Sequence, residues 1–280
     1  MSAHIKRKWA DVPADHMDPL SYAVSARDRS VISMVDQAVR HKQVVLAFQP
    51  VVAAGQATRV AFYEGLIRVL DETGRIIPAR DFIDVIESTE TGRVIDCLAL
   101  ENGLRRLARH DDLRLAINMS ARSIGYEPWM QTLRNGLGAH PSVGERLILE
   151  ITESSAMIVP ELVVSFMEEA QKNGISFALD DFGAGFTSFR YLKQFYFDIL
   201  KIDGQFIRGI AQDPDNQVLT TALATIARQF DMFTVAESVE LAEDAAYLTS
   251  IGTDCLQGHI FGAPTVNPTW LNAGAACASA

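Results

Sequence analysis

Phe177-Ala178-Leu179-Asp180-Asp181-Phe182-Gly183-Ala184-Gly185 is the stretch on which the fold turns: a short apolar run halts at two adjacent carboxylates and a glycine-rich turn. Side by side, two like charges repel, and the repulsion is tolerable only where water or a divalent cation with oxygen ligands offsets it. Successive strand residues point to opposite faces, so a strand ending at Asp180 aims that carboxylate inward while Asp181 leaves with the turn. The glycines then let backbone approach whatever the acids hold. Taken alone, the same residues also make an ordinary solvated strand-end turn, because Asp and Gly are common turn formers. The rest of the chain decides between the two.

Working outward, strand and helix signals alternate. Val44 to Phe48 is a strand-like run, followed by candidate strands at Arg59 to Ile67, Leu113 to Met119, Arg146 to Ile151, Ile175 to Asp180, Asp198 to Ile202, Phe233 to Ala236 and Asp254 to Leu256, eight in all. Helical spacing is found from Arg29 to His41, Arg80 to Ser88, Val94 to His110, Glu161 to Asn173, Asp215 to Phe230 and Leu241 to Ile251. Asn173-Gly174 closes one of these, as expected just past a helix C-terminus. Runs apolar almost throughout, such as Leu147-Ile148-Leu149, read as strands buried on both faces, the mark of a parallel sheet wrapped by helices. An eight-stranded (β/α)8 barrel follows, and its typical ~250 residues match residues 31–270. Residues 1–30 read as an N-terminal arm or edge helix and 271–280 as a tail.

Composition bounds the function. With 48% hydrophobic residues, a chain of 280 can bury a large core. A net charge of -10 excludes a general binder of DNA or RNA duplexes, so a phosphorylated ligand needs cations or local arginines. Cys97, Cys255 and Cys277 have neither disulfide nor zinc spacing, which fits reduced thiols in the cytoplasm. Lys6, Arg7 and Lys8 are followed by Trp9 and Asp11 rather than an apolar run, unlike a signal peptide, and no apolar segment approaches the ~20 residues of a bilayer span.

The strands share one design, an apolar run whose last residues are polar or ionisable: Glu64, Asn118, Glu150, Asp180, Lys201, Glu237 and Gln257. In a barrel these ends converge on the C-terminal face, where active sites of such barrels sit. The set is rich in oxygen and has no His or Cys ligand group, which selects Mg2+ or Mn2+ over zinc or copper. Two cations bridged by a carboxylate such as Asp180 would clamp both oxygens of a phosphoryl displacement.

These residues resemble the EAL-domain family of cyclic di-GMP phosphodiesterases, from about Phe48 to Pro264. The motifs in order are Phe48-Gln49-Pro50, Tyr63-Glu64-Gly65-Leu66 with Arg68, Asn118 to Arg122, Glu150 to Ser154, Leu179 to Gly183, Lys201-Ile202-Asp203, Ala236 to Glu240 and Gln257-Gly258. The resemblance implies a modified barrel whose first strand is antiparallel to the rest. It implies Glu64, Asn118, Glu150 and Asp180 as ligands of one metal, Asp180 and Asp181 as ligands of a second, and Lys201 and Glu237 as the groups that position and activate water. It further implies Arg68 at a substrate phosphate, Gln49 and Leu66 along the substrate groove, Gln257 within the inner network, and Glu153 supporting the loop from Asp181 to Ser188. The implied reaction opens one phosphodiester bond of cyclic di-GMP to give pGpG, and a homodimer is common in the family; control is expected from dimerisation or from an unidentified regulatory protein.

Several positions depart from the family's usual pattern. Gly65 replaces the name-giving alanine, Ala184, Phe186 and Thr187 stand for Thr, Tyr and Ser, Ser238 for Gly, and His259 for an aromatic residue. Gly65 removes one methyl and no ligand, so it is expected to be tolerated. The lost loop hydroxyls bear on activity and keep a rival open: a non-catalytic receptor for cyclic di-GMP or for a protein. A less specific reading, from barrel and acids alone, is another Mg2+ enzyme acting on a phosphorylated small molecule.

Overall fold

Strands that are apolar on both faces need cover on both, and the chain supplies it by rolling them into a closed barrel wrapped in helices. The computed structural model describes residues 19–183 and 192–273. In chain order the elements are α1 (Pro19–Arg40), β1 (Val44–Ala53), β2 (Gln56–Leu70), β3 (Ile76–Pro78), α2 (Ile83–Ile86), α3 (Glu90–Leu107), β4 (Leu115–Asn118) and α4 (Glu127–Ala139). Then come β5 (Leu147–Thr152), α5 (Glu153–Ala156), α6 (Pro160–Gln171), β6 (Ser176–Phe182), β7 (Ile199–Ile202), α7 (Pro214–Gln229), β8 (Phe233–Ala236), α8 (Ala242–Ser250), β9 (Cys255–Gln257) and α9 (Thr269–Ala273).

Strands β2 and β4 to β9 pair in parallel around the ring, and β1 closes it by pairing antiparallel with both β2 and β9. The modified barrel with a reversed first strand is therefore the observed architecture. One strand was not legible in sequence: β3, three residues long, adds antiparallel to the end of β2 and is too short to show a period.

Alternation along each strand sorts apolar residues into two layers. Val51, Phe62, Ala116, Ile148, Ala178, Ile199 and Val235 fill the barrel interior. Their neighbours, among them Leu115, Leu149, Phe177, Leu179 and Leu200, pack outward against the helices. Each of the larger ones, Val, Leu, Ile or Phe, contributes about 1.5–3 kcal/mol, so the strands hold their register. A slip of one residue would exchange the two layers.

Local chemistry sets the helix limits. Asp213 accepts from the backbone N–H groups of Asp215 and Asn216, with Pro214 next in line, and so starts α7. The periodicity over Arg80 to Ser88 predicts one helix, but the chain forms a 3-10 turn at Ala79–Asp81 and the single turn α2. Thr89 ends that turn by donating its hydroxyl to Ile86 O at 2.7 Å, and its Oγ1 caps α3 by accepting from Gly92 N. The stretch Glu127–Ala139, not read as helical in the sequence, is α4. Helix α1 runs through residue 30, so the expected arm boundary falls inside a helix; residues 1–18 lie outside the described residues. At the other end α9 crosses residue 270, seated by Trp270 against Phe48, Tyr63 and His110 with ring centroids 5.0, 5.6 and 5.0 Å away; residues 274–280 lie outside the description. Among the described residues no helix is long and apolar enough to cross a membrane.

Two packing details bear on the site. Gly65 faces α3 and β4, where a Cβ would come within 2.8 Å of Ile117 Cδ1 and 3.3 Å of Ala116 O. A Cβ on Gly103 of α3 would meet the same Ile117 methyl at 2.8 Å. Ile117 thus occupies the space that an alanine methyl at position 65 would need. Asp96 of α3, buried, holds the turn after β4: its Oδ2 accepts from Ser120 N at 2.9 Å and from Ser123 Oγ at 2.6 Å. Burial pushes the Asp96 carboxyl up to about 7 although both hydrogen bonds hold it down.

Each detail has a measurable consequence. Gly65→Ala overpacks the α3 contact and lowers stability by about 1–3 kcal/mol in urea unfolding, and adding Ile117→Val, which deletes the obstructing methyl, recovers most of the loss. For Asp96 the folded pKa lies above the unfolded value of 3.8, so the unfolded chain loses its proton first. The stability that neutral Asp96 supplies is complete below 3.8 and disappears as pH rises through about 7. Unfolding midpoints followed from about pH 4 to 8 will decline for the wild type relative to Asp96→Asn, whereas parallel curves would mean that Asp96 is charged in the fold.

Candidate active site

The same alternation that builds the apolar interior builds the site above it. Two residues beyond Phe62, Ala116, Ile148, Ala178, Ile199, Val235 and Cys255 come Glu64, Asn118, Glu150, Asp180, Lys201, Glu237 and Gln257. Residues i and i+2 share a face, so each strand stacks one polar group on one apolar group at the barrel's C-terminal mouth. Reversed strand β1 contributes Gln49 in the same way, two residues before Val51.

Lys201 is the centre of this layer, with only 1% of its side chain exposed. Its Nζ lies 2.8 Å from Asp180 Oδ1, 2.8 Å from Glu237 Oε1, 3.1 Å from Glu150 Oε2 and 3.6 Å from Glu64 Oε2. Side-chain amides complete the ring. Asn118 Nδ2 donates to Glu64 Oε1 at 2.8 Å, and Gln257 Nε2 donates to Glu64 Oε2 at 2.6 Å and to Gln49 Oε1 at 3.2 Å. Gln49 Nε2 in turn donates to Gly262 O at 3.3 Å. Thus Glu64, Asn118, Glu150, Asp180, Lys201, Glu237, Gln257 and Gln49, far apart in sequence, form one connected network.

Strand β6 runs two residues further than its apolar pattern predicts, to Phe182, and its pairing with β7 is interrupted between Leu179 and Phe182. Asp181 takes up the irregularity with a left-handed φ of 54°, which leaves Asp180 buried and turned inward and Asp181 open to solvent. Glu153, first residue of α5, is buried and its Oε2 accepts from Gly183 N at 3.2 Å, so it holds the start of the following loop. Ala184, Phe186 and Thr187 lie outside the described residues.

On β2 the face of Glu64 continues through Leu66 and Arg68, both partly exposed. Arg68 donates from Nη1 to Ile67 O at 2.9 Å, and its guanidinium lies within the field of the Glu64 carboxylate. His259 is exposed.

Charge in the ring is strongly redistributed. Burial pushes the Glu64 carboxyl up, but Lys201 and the hydrogen bonds from Gln257 and Asn118 outweigh it and leave Glu64 below the ordinary range. Glu150 moves far the other way, because burial is joined by Glu64 and Asp180 against the pull of Lys201. Burial likewise lifts Glu237 to about 8 despite Lys201. Asp181 is lifted to about 6 by desolvation at the barrel rim and then by Asp180. Burial works against the charge on Lys201, yet Asp180, Glu150, Glu237 and Glu64 raise its pKa well above the usual value. One ammonium is too little for these five acids; protons or divalent cations must neutralise the rest.

The residues present fit a hard cation. Carboxylate oxygens of Asp180, Asp181 and Glu237 lie within 4.8 Å of one another, the one such group among the described residues. Glu150 Oε1 is buried without a hydrogen-bond donor, and the donor set is entirely oxygen. The sequence places Glu237 among the converging strand ends as a group that activates water; its oxygen's closeness to those of Asp180 and Asp181 follows from β7, which pairs with both β6 and β8. Sequence reading missed Asp96, whose only sequence signal is an acid in an otherwise apolar helix face.

Comparison with known proteins places the chain. The family model for the EAL domain matches residues 32–264. The bifunctional diguanylate cyclase/cyclic di-GMP phosphodiesterase MucR of Pseudomonas aeruginosa is 31% identical over 233 residues, 81% of this chain and 34% of that protein. The cyclic di-GMP phosphodiesterase PdeF of Escherichia coli is 30% identical over 239 residues, 84% of this chain and 32% of that protein. The chain therefore spans about a third of the length of these curated relatives. Among solved structures, a PaMucR phosphodiesterase complex with c-di-GMP matches with a TM-score of 0.73 and 30% identity, covering 86% of this chain and 99% of that one. The FimX EAL domain from Pseudomonas aeruginosa bound to c-di-GMP matches with a TM-score of 0.75 and 25% identity, covering 84% and 96%. A barrel with a reversed first strand, a ring of strand-end acids around Lys201 and a family match over residues 32–264 have one common meaning: the chain belongs to the EAL domain family.

Proposed function

We propose that this domain hydrolyses one phosphodiester bond of cyclic di-GMP to linear pGpG with the help of Mg2+ or Mn2+. The observation that carries the reading is Lys201 held among Glu64, Glu150, Asp180 and Glu237 beside the Asp180, Asp181 and Glu237 oxygen group. Relatives described as cyclic di-GMP phosphodiesterases support the substrate.

In this reading Glu64, Asn118, Glu150 and Asp180 would hold one cation, and Asp180 and Asp181 would hold a second. Asn118 and Gln257 donate to the two oxygens of Glu64 and so fix its carboxylate plane. Divalent cations there would neutralise phosphate charge and acidify water. Lys201 fixes the orientation of Glu237 through its 2.8 Å contact, and Glu237 accepts the proton of the attacking water. Arg68, further along the strand face of Glu64, takes a substrate phosphate, while Gln49 and Leu66 line the groove. Glu153 keeps the loop beginning at Gly183 in place.

The setting expected is the cytoplasm, with a second copy of the chain and an unidentified regulatory protein as partners. Helix α7 and the segment after Lys193 are the faces on which a homodimer is expected, and Val218 on α7 is 70% exposed. A second reading, a receptor that binds cyclic di-GMP without turnover, is favoured by the similarity to the FimX EAL domain bound to c-di-GMP and by the departures Ala184, Phe186 and Thr187.

One experiment separates the two. Incubated with cyclic di-GMP and Mn2+, the wild type yields pGpG by chromatography, and chelation or Glu64→Ala reduces turnover by at least ~100-fold. Tight nucleotide binding without cation-dependent pGpG would establish the receptor instead. A second test needs no activity. Lys201→Met leaves the buried acids without their cation and destabilises the cation-free protein by about 3–5 kcal/mol. Mn2+ restores part of that loss in thermal unfolding, and an unchanged midpoint would show that Lys201 does not neutralise the ring.

A further inference from the structure

Ser238, directly after Glu237, has a left-handed φ of 54°, a conformation that strains any residue with a Cβ. Its neighbours are pinned on both sides. Glu237 N donates to Ile202 O at 3.2 Å, and Val239 N donates to Gln257 O at 2.9 Å. Backbone at 238 therefore cannot relax without dragging Glu237 away from β7.

Room for the serine side chain exists because residue 204 is glycine. A Cβ on Gly204 would lie 2.4 Å from Ser238 Oγ and 2.6 Å from Ser238 Cβ. From the same turn Arg208 reaches back, and its Nη2 donates to Ser238 Oγ at 3.0 Å. That turn begins just after Lys201, whose Nζ meets Glu237 Oε1 at 2.8 Å. The turn also braces the end of β6: Gln205 Nε2 donates to Gly183 O at 3.4 Å, and a Cβ on Gly183 would come within 2.6 Å of the Phe206 ring. One turn thus touches the two segments that carry Glu237 and Asp181.

We propose that Arg208 and Ser238 form a clamp across the barrel rim that sets Glu237 against Lys201, with Arg208 a positioning residue that acts through Ser238. The inference rests on the phosphodiesterase reading for its effect on turnover, but the contact itself does not. At this position a serine is held in a left-handed conformation that glycine adopts without strain, contacted by an arginine and accommodated by Gly204. Arg208 is exposed, so its replacement leaves folding intact.

The test compares wild type, Arg208→Ala, Arg208→Lys, Ser238→Gly and the double variant Arg208→Ala/Ser238→Gly. Two quantities are read, Mn2+ affinity with the metal alone and kcat and KM on cyclic di-GMP. Arg208→Ala is expected to weaken Mn2+ binding and to lower kcat by about ten- to a hundredfold with KM unchanged, and Arg208→Lys to recover part of both. With glycine at 238 the strain is gone, so Arg208→Ala adds no further loss in the double variant. An equal loss in both backgrounds, a change confined to KM, or Mn2+ affinity that is flat across the set overturns the clamp. If the wild type makes no pGpG while Mn2+ affinity follows the expected pattern, the phosphodiesterase reading fails and the clamp stands.

Discussion

Five carboxyl groups and one ammonium share the mouth of this barrel, and their mutual repulsion is the constraint to which the surrounding structure answers. Lys201 relieves part of it by standing within 3.6 Å of four acids at once. The amides of Asn118 and Gln257 relieve another part by donating to Glu64. Burial first, and then the repulsion that remains, pushes Glu150, Glu237 and Asp181 upward, so that in the absence of cations protons share in the neutralisation. A group of oxygens that must be neutralised by something is already prepared for a divalent cation.

The ring can be held so tightly because it is one layer of a barrel. Beneath each polar residue, on the same strand face, lies an apolar residue of the interior layer. Any slip of register would put an acid against the helices and an apolar side chain in the ring, so hydrophobic burial on both sides of the sheet enforces the electrostatic geometry. Reversal of β1 does not break the rule, since alternation is independent of chain direction, and Gln49 joins the ring from the opposite sense.

Two departures from the family's usual residues turn out to be half of a local pair. At Gly65 the missing methyl is replaced by Ile117, which also fills the space left by Gly103, so the strand loses no packing where it carries Glu64. At Ser238 the added side chain is accommodated by Gly204 and held by Arg208. Neither partner is adjacent in sequence. Both show close-packed neighbours adjusting volume for volume around a fixed set of ionisable groups.

The sequence by itself determined which polar residues end the strands at the barrel mouth and roughly where each strand lies, because apolar alternation and a polar final residue are local patterns repeated strand after strand. It also carried the reversed first strand, through resemblance rather than through physics. It did not carry β3, α4 or the division of 80–88 into two short turns, where runs are too short for a period or a hydroxyl from Thr89 overrides it. Only the tertiary structure decided that Lys201 is the hub, that oxygens of Glu237, Asp180 and Asp181 lie together, that Asp96 holds the turn after β4 and that Arg208 meets Ser238. The reason is physical: strand-end identity is written along one strand, whereas distance between charges is set by closure of the barrel, which joins residues that no local pattern relates.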